Sequence, residues 1–176
     1  MVKYISMSEC PHLPNAPITE ALIEICVQLP PDVTVERLKT LHARIKDQFP
    51  DQKTRFKVEA QICFREETSQ IETAAPKPDG LIFTSTDQER IFQARLDGFT
   101  FSRLKPYETW EALAEEALKY WKLYLEFTEP ISISRVAVRY INRLELPLPV
   151  RDFNEYLKAP PYSPERFAAE HVGIHN

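Results

Sequence analysis

The sequence predicts an α+β domain: a mainly antiparallel sheet of about six strands with two amphipathic helices on one face, ordered β-α-β-β-β-β-α-β. Three observations carry this. Apolar residues alternate with period two along several segments rich in Val, Ile and Phe. Two segments, starting near Val35 and Trp110, instead repeat their apolar residues at helical spacing. Between those two segments the strands follow one another across short polar turns, as antiparallel neighbours do.

Residues 1–17 hold three prolines and no periodicity, and read as an irregular arm. The first strand follows, with Ala21, Ile23, Ile25, Val27 and Leu29 on one face and Glu20, Leu22, Glu24, Cys26 and Gln28 on the other. Pro30 and Pro31 end it. Thr34 is placed to cap a helix whose inward face is Val35, Leu38, Leu41, Ile45 and Phe49, closed by Pro50. A second strand carries Phe56, Val58, Ala60, Ile62 and Phe64 on one face, and Arg55, Lys57, Glu59, Gln61 and Arg65 on the other. Residues 66–79 are polar, include Pro76 and Pro78, and read as a mobile loop.

Residues 81–85 and 91–96 form the next two strands. Asp97-Gly98 signals a hairpin, because glycine tolerates the positive φ of tight primed turns, and residues 99–104 pair back. Pro106 breaks the sheet. A long helix begins near Trp110, with Leu113, Ala114, Ala117, Trp121, Tyr124 and Leu125 as its apolar stripe and Trp110 as a core anchor. Residues 131–146 form a last long strand. The main domain is therefore 18–146, followed by a proline-rich segment, 147–176, with one short helix over 152–158.

Composition narrows the function. The chain has 176 residues, a net charge of −4 and a pI near 5.6, which argues against a general nucleic-acid binder. No apolar run approaches the ~20 residues of a membrane span, and no secretory signal pattern is present, so a cytoplasmic protein without a membrane partner is expected. Cys10, Cys26 and Cys63 are odd in number and scattered, which implies no disulfide framework. With 3 glycines against 15 prolines, the chain cannot build a glycine-rich phosphate loop. His12, His42, His171 and His175 offer no zinc spacing, and no nucleophile elbow or kinase signature appears. No catalytic residue, metal or cofactor is assigned, and enzyme status has no positive support.

The candidate binding residues are Arg103, Lys105, Tyr107, Arg135, Arg139, Asn142 and Arg143. Arg135, Arg139 and Arg143 recur every four residues in a strand, on the face of Ile131, Ile133, Ala137 and Ile141. They form a row with a spacing of ~13 Å. If the helices cover the opposite face, with Val136, Val138, Tyr140 and Leu144, the row lines the open side, where Lys57, Arg65 and Arg95 can join it. Such a row suits an anionic partner. The plainer alternative is pairing with Glu20, Glu24 and Glu59 on neighbouring strands. Arg103, Lys105 and Tyr107 mark the corner before the second helix, where an arginine fork and an aromatic ring suit recognition, or simply cap carbonyls and anchor the helix. Asn142 in a strand interior points to a bulge or to a site.

The β-α-β4-α layout resembles, at the level of topology, the TATA-binding-protein-like superfold; a ferredoxin-like arrangement is the fallback. Several fragments taken together, Asn15-Ala16-Pro17-Ile18-Thr19-Glu20-Ala21-Leu22, Arg95-Leu96-Asp97-Gly98-Phe99, Phe101-Ser102-Arg103-Leu104, Pro106-Tyr107 before Trp110, and Arg139-Tyr140-Ile141-Asn142-Arg143, resemble a sporadically distributed family of uncharacterised bacterial proteins. The resemblance spans about residues 14–165 and carries no assigned activity, cofactor or catalytic residue. It implies a cytosolic bacterial protein of defence or mobile loci, and a chain shorter than its relatives, either a fragment or a short variant. The expectation that follows is a binding module contacting a macromolecule through its Arg-rich sheet face and corner. A protein partner is favoured slightly over nucleic acid, and self-association is left open. The competing expectation is an enzyme acting on a phosphorylated or otherwise anionic substrate.

Overall fold

Strand β1 (Ile18–Gln28) organises the sheet, and its alternation explains why. Ala21, Ile23 and Val27 enter the core, while Leu22, Glu24 and Cys26 take the other face. In this computed structural model residues 15–58, 60–65, 68–73, 75–149 and 152–157 are described, with 60–73 described by backbone alone. The chain divides into two compact units, Met1–Arg143 and Leu144–Asn176. The irregular arm expected over 1–17 lies outside the described residues up to residue 14; Asn15 occupies a turn ahead of β1.

Thr34 caps helix α1 (Val35–Thr40), its hydroxyl accepting from the Arg37 N–H. The single helix expected up to Phe49 is instead α1 followed by α2 (His42–Ile45). Tighter hydrogen bonds three residues back, Leu41 N to Leu38 O (3.1 Å) and Arg44 N to Leu41 O (3.0 Å), interrupt the α pattern at Leu41. The inward face survives the break, because Val35, Leu38, Leu41, Ile45 and Phe49 are all buried.

The second strand departs from expectation. It is two strands in two different sheets: β2 (Asp51–Lys57) at the edge of the main sheet, and β3 (Ala60–Arg65), which pairs with β4 (Thr68–Thr73) in a separate hairpin. The stretch read as a loop over 66–79 thus holds β4 and the start of β5 (Lys77–Thr84). Thr68-Ser69-Gln70-Ile71-Glu72-Thr73 carries one large apolar residue, so the alternation of a half-buried strand is missing from it. Phe56 and Val58 are exposed instead of facing a core.

Strands β6 (Arg90–Arg95), β7 (Gly98–Leu104) and β8 (Ser132–Asn142) complete a six-stranded antiparallel sheet in the order β2-β5-β6-β7-β1-β8. The β6–β7 hairpin is present, but its turn is Leu96-Asp97, closed by the Arg95–Gly98 pair, and neither turn residue has positive φ. Gly98 is required for another reason. A Cβ there would stand 2.4 Å from the Ile25 carbonyl oxygen and 3.1 Å from the Cys26 Cα, so only glycine lets β7 lie this close to β1.

Helix α3 (Trp110–Thr128) starts at Thr109, whose hydroxyl accepts from the Ala112 N–H at 3.2 Å, and ends where Glu129 turns left-handed (φ 44°) before Pro130. Its buried stripe is Leu113, Ala117, Tyr120, Tyr124 and Thr128. Trp110 is not the core anchor the sequence suggests: it sits in the first turn and remains 36% exposed. The core is an aromatic layer. Tyr120 meets Phe49 edge-on at 5.0 Å and stacks on Phe101 at 5.3 Å and Phe92 at 5.7 Å. Among the described residues no helix is long and apolar enough to cross a membrane.

Among its described residues the second unit holds one 3₁₀ turn, Phe153–Glu155, where a short helix over 152–158 is expected; Asp152 Oδ1 accepts from the Asn154 N–H at 2.8 Å. Lys158 lies outside the described residues.

Replacing Gly98 with alanine should lower the unfolding free energy by about 1–3 kcal/mol, because backbone must move to admit one methyl group. Urea denaturation of Gly98→Ala beside the parent chain measures it.

Candidate functional site

The register of β8 against β1 decides which side chains meet. Glu24 pairs across the strands with Ala137, Leu22 with Arg139 and Cys26 with Arg135, so both arginines stand on the face opposite the helices. Glu24 is only 8% exposed. Its Oε2 accepts from Arg135 Nη2 and Arg139 Nη2, each at 2.6 Å, and its Oε1 accepts from Arg95 Nη1 at 3.0 Å. Arg95 is itself buried, and its Nε lies 3.0 Å from Asp97 Oδ1 but out of line for a hydrogen bond.

Three guanidinium groups therefore surround two carboxylates, Glu24 and Asp97. Burial alone would raise the Glu24 pKa. The hydrogen bond and charge of Arg95, joined by Arg135 and Arg139, outweigh it and hold the carboxyl below its ordinary value. Of the carboxylates expected as partners for the arginine row, Glu24 takes that role, and Glu59 lies outside the described residues. The open face is not uniformly open either, since Leu22, Thr100 and Ser102 are buried in its middle.

Two bulges alter the row. The register slips between Cys26 and Val27, so that Cys26 meets Arg135 while Val27 meets Ile133. Ile133 consequently turns to the helix side instead of sharing the arginine face. A second slip, between Ile18 and Glu20, lies beside Asn142, which pairs with Ile18 at this strand end. Arg143 follows the last residue of β8 and donates its backbone N–H to Pro17 O at 2.9 Å. Lys57 is exposed at the end of β2, and the Arg65 side chain lies outside the description.

The corner is built differently. Arg103 Nη2 pairs with Glu89 at 3.1 Å, and its Nε donates to the Pro106 carbonyl at 3.3 Å, so this arginine holds the corner closed. Lys105 is exposed and donates its backbone N–H to Thr19 O at 3.0 Å. Tyr107 lies edge-on to Tyr140 with centroids 5.6 Å apart and hydroxyl oxygens 3.4 Å apart. Burial, aided by that contact, pushes the Tyr107 hydroxyl pKa upward. The corner and β8 thus adjoin through two tyrosines.

Sequence reasoning missed the largest feature. The face with Val136, Val138 and Tyr140 was expected beneath the helices. These residues do pair with Ile25, Ile23 and Ala21 of the core face. Yet Val136 is 62% exposed and Val138 and Tyr140 are each 42% exposed, because β8 lies at the sheet edge beyond the helices' reach. Trp121 and Leu125 of α3 line a shallow cleft with Ile131 and Ile133, and Leu118, one turn before Trp121, is exposed. The signal lay in the sequence: residues 131–141 are apolar at both parities, which an ordinary solvated edge does not need.

Glu24→Gln should destabilise the fold by about 3 kcal/mol, since Arg95 loses the partner that offsets its burial. Arg139→Gln, removing one exposed member, should cost under about 1 kcal/mol. The stability that Glu24 contributes is complete above the ordinary glutamate pKa of ~4.3 and is lost as the pH falls through its lower folded value. The acid limb of a stability–pH profile should therefore be shallower for Glu24→Gln than for the parent chain, as read from denaturation midpoints.

The chain matches no protein-family model, no curated protein and no solved structure. A functional reading therefore rests on the geometry of β8 and its surroundings.

Proposed function

We propose that the chain is a protein-interaction module that receives an extended segment of its partner along the outer edge of β8. The observation that carries this reading is an eleven-residue strand that, among the described residues, has no strand on its outer side, with Val136, Val138 and Tyr140 exposed on the face continuous with the core. An unpaired strand edge offers main-chain donors and acceptors, and the exposed alternating side chains offer specificity; this is how β-augmentation works. Arg135, Arg139 and Asn142 flank the edge, and Tyr107 extends it toward the corner, with Lys105 exposed two residues earlier.

A protein partner fits better than nucleic acid. The net charge is −4, and the two β8 arginines already share a carboxylate. The alternative, an enzyme for an anionic substrate, would need an uncommitted acid or base beside those arginines; Glu24 is occupied in holding them.

Val136→Asp combined with Val138→Asp alters only exposed positions, so the thermal midpoint should change little. Affinity capture from the source cells should lose the partner that the parent chain retains, and nuclease treatment should leave the parent's capture intact. Capture that survives both substitutions, or vanishes with nuclease, would overturn the reading.

A further inference from the structure

Strand β1 shows what a strand on the other side of β8 must carry. Directly across from Ala137, β1 places Glu24, and this one carboxylate reaches Arg135 on one side and Arg139 on the other. The reason is geometric: Ala137 is small, and arginines two residues before and after it lie on the diagonals of that position, within reach of long side chains. The outer side of Ala137 presents the mirror of this position, and among the described residues no strand fills it. Both arginines are more than half exposed, at 52% and 55% of their side chains. The cluster keeps an excess of positive charge, three guanidiniums against Glu24 and Asp97. On the opposite face, β1 sets Ile25 across from Val136 and Ile23 across from Val138.

Resting on the reading of β8 as a docking edge, we infer that the partner segment is an extended strand with an apolar–acidic–apolar centre. Its Asp or Glu faces Ala137 between Arg135 and Arg139, and its flanking apolar residues cover Val136 and Val138. It repeats, from the outside, the Ile23-Glu24-Ile25 pattern of β1. A second copy of this chain fits worse. An antiparallel β8 pair centred on Ala137 would set Arg135 against Arg139 of the other copy, and like charges directly opposite repel. Shifting that register by two residues either way sets an arginine of the other copy against Ala137, adding positive charge to a cluster already short of carboxylates.

Two soluble nine-residue peptides test this, one with an Ile-Glu-Ile centre and its twin with Ile-Lys-Ile. By fluorescence anisotropy at low salt the glutamate peptide should bind about fivefold more tightly, as two partly exposed ion pairs allow. The preference should shrink as salt rises, and hydrogen exchange should slow along 132–142. Arg135→Gln with Arg139→Gln should erase the preference while both peptides still bind. Should that double variant fail to fold, Arg139→Gln alone should reduce the preference. Equal binding of the twins to the parent chain would overturn the acidic centre and leave the docking edge standing. Binding of neither peptide would overturn both. Dimerisation that itself protects 132–142 would assign the edge to a second copy and overturn the inference.

Discussion

The Glu24 carboxylate is the interaction on which the outer half of the sheet depends. The parity of β1 puts Ile23 and Ile25 toward the helices and Glu24 toward the other face, and there it gathers Arg95 from β6 and Arg135 and Arg139 from β8. Three strands that are not all neighbours are tied by one side chain. Arg95 extends the tie through the sheet, because its backbone carbonyl accepts from the Tyr124 hydroxyl of α3 at 2.8 Å. A buried ion pair of this kind gains little over an apolar pair, but removing one member leaves a charge stranded. It therefore acts more as a specification of register than as a reserve of stability. A one-residue slip of β8 would take both arginines to the helix side.

The helical layer explains the rest of the surface. α1 lies over β5 and β6, His42 of α2 stacks on Phe83 of β5, and α3 lies over β7 and β1, with Tyr120 joining the two halves through Phe49, Phe92 and Phe101. These three helices cover four strands well and leave most of the sixth, β8, uncovered. β8 is thus held by its ladder with β1, by Glu24 and by the contact of Tyr140 with Tyr107, and Val136 and Val138 remain exposed. The order β2-β5-β6-β7-β1-β8 makes this unavoidable, because the last strand joins the outside of the first.

Much of this was legible in the sequence, for physical reasons that can be named. Elements with one buried face announced themselves by period, so β1, β5, β6, β7 and α3 fell where their apolar residues alternate or recur. The Thr34 and Thr109 caps and the Pro30-Pro31 and Pro106 breaks set boundaries through local chemistry. The β3–β4 hairpin escaped because Thr68–Thr73 has no apolar alternation to read. Gly98 was assigned to a turn when its use is a close approach between strands, a long-range fact that no local pattern contains. The arginine row was read correctly as facing away from the helices for Arg135 and Arg139, while the bulge near Ser134 moved Ile133 to the other side. Strand position within the sheet was the decisive omission: periodicity tells which face a residue takes, never whether a helix reaches that far.

An exposed sheet edge is also a template on which copies of a chain can stack without limit. The steric zippers that drive such stacking need about six or seven consecutive residues of low charge. In β8 the run between Arg135 and Arg139 is Val136-Ala137-Val138, three residues long. Two guanidinium groups spaced four apart thus act as gatekeepers against fibre growth. A second β8 brought up in register would set these charges directly against one another, whereas the proposed acidic partner would not.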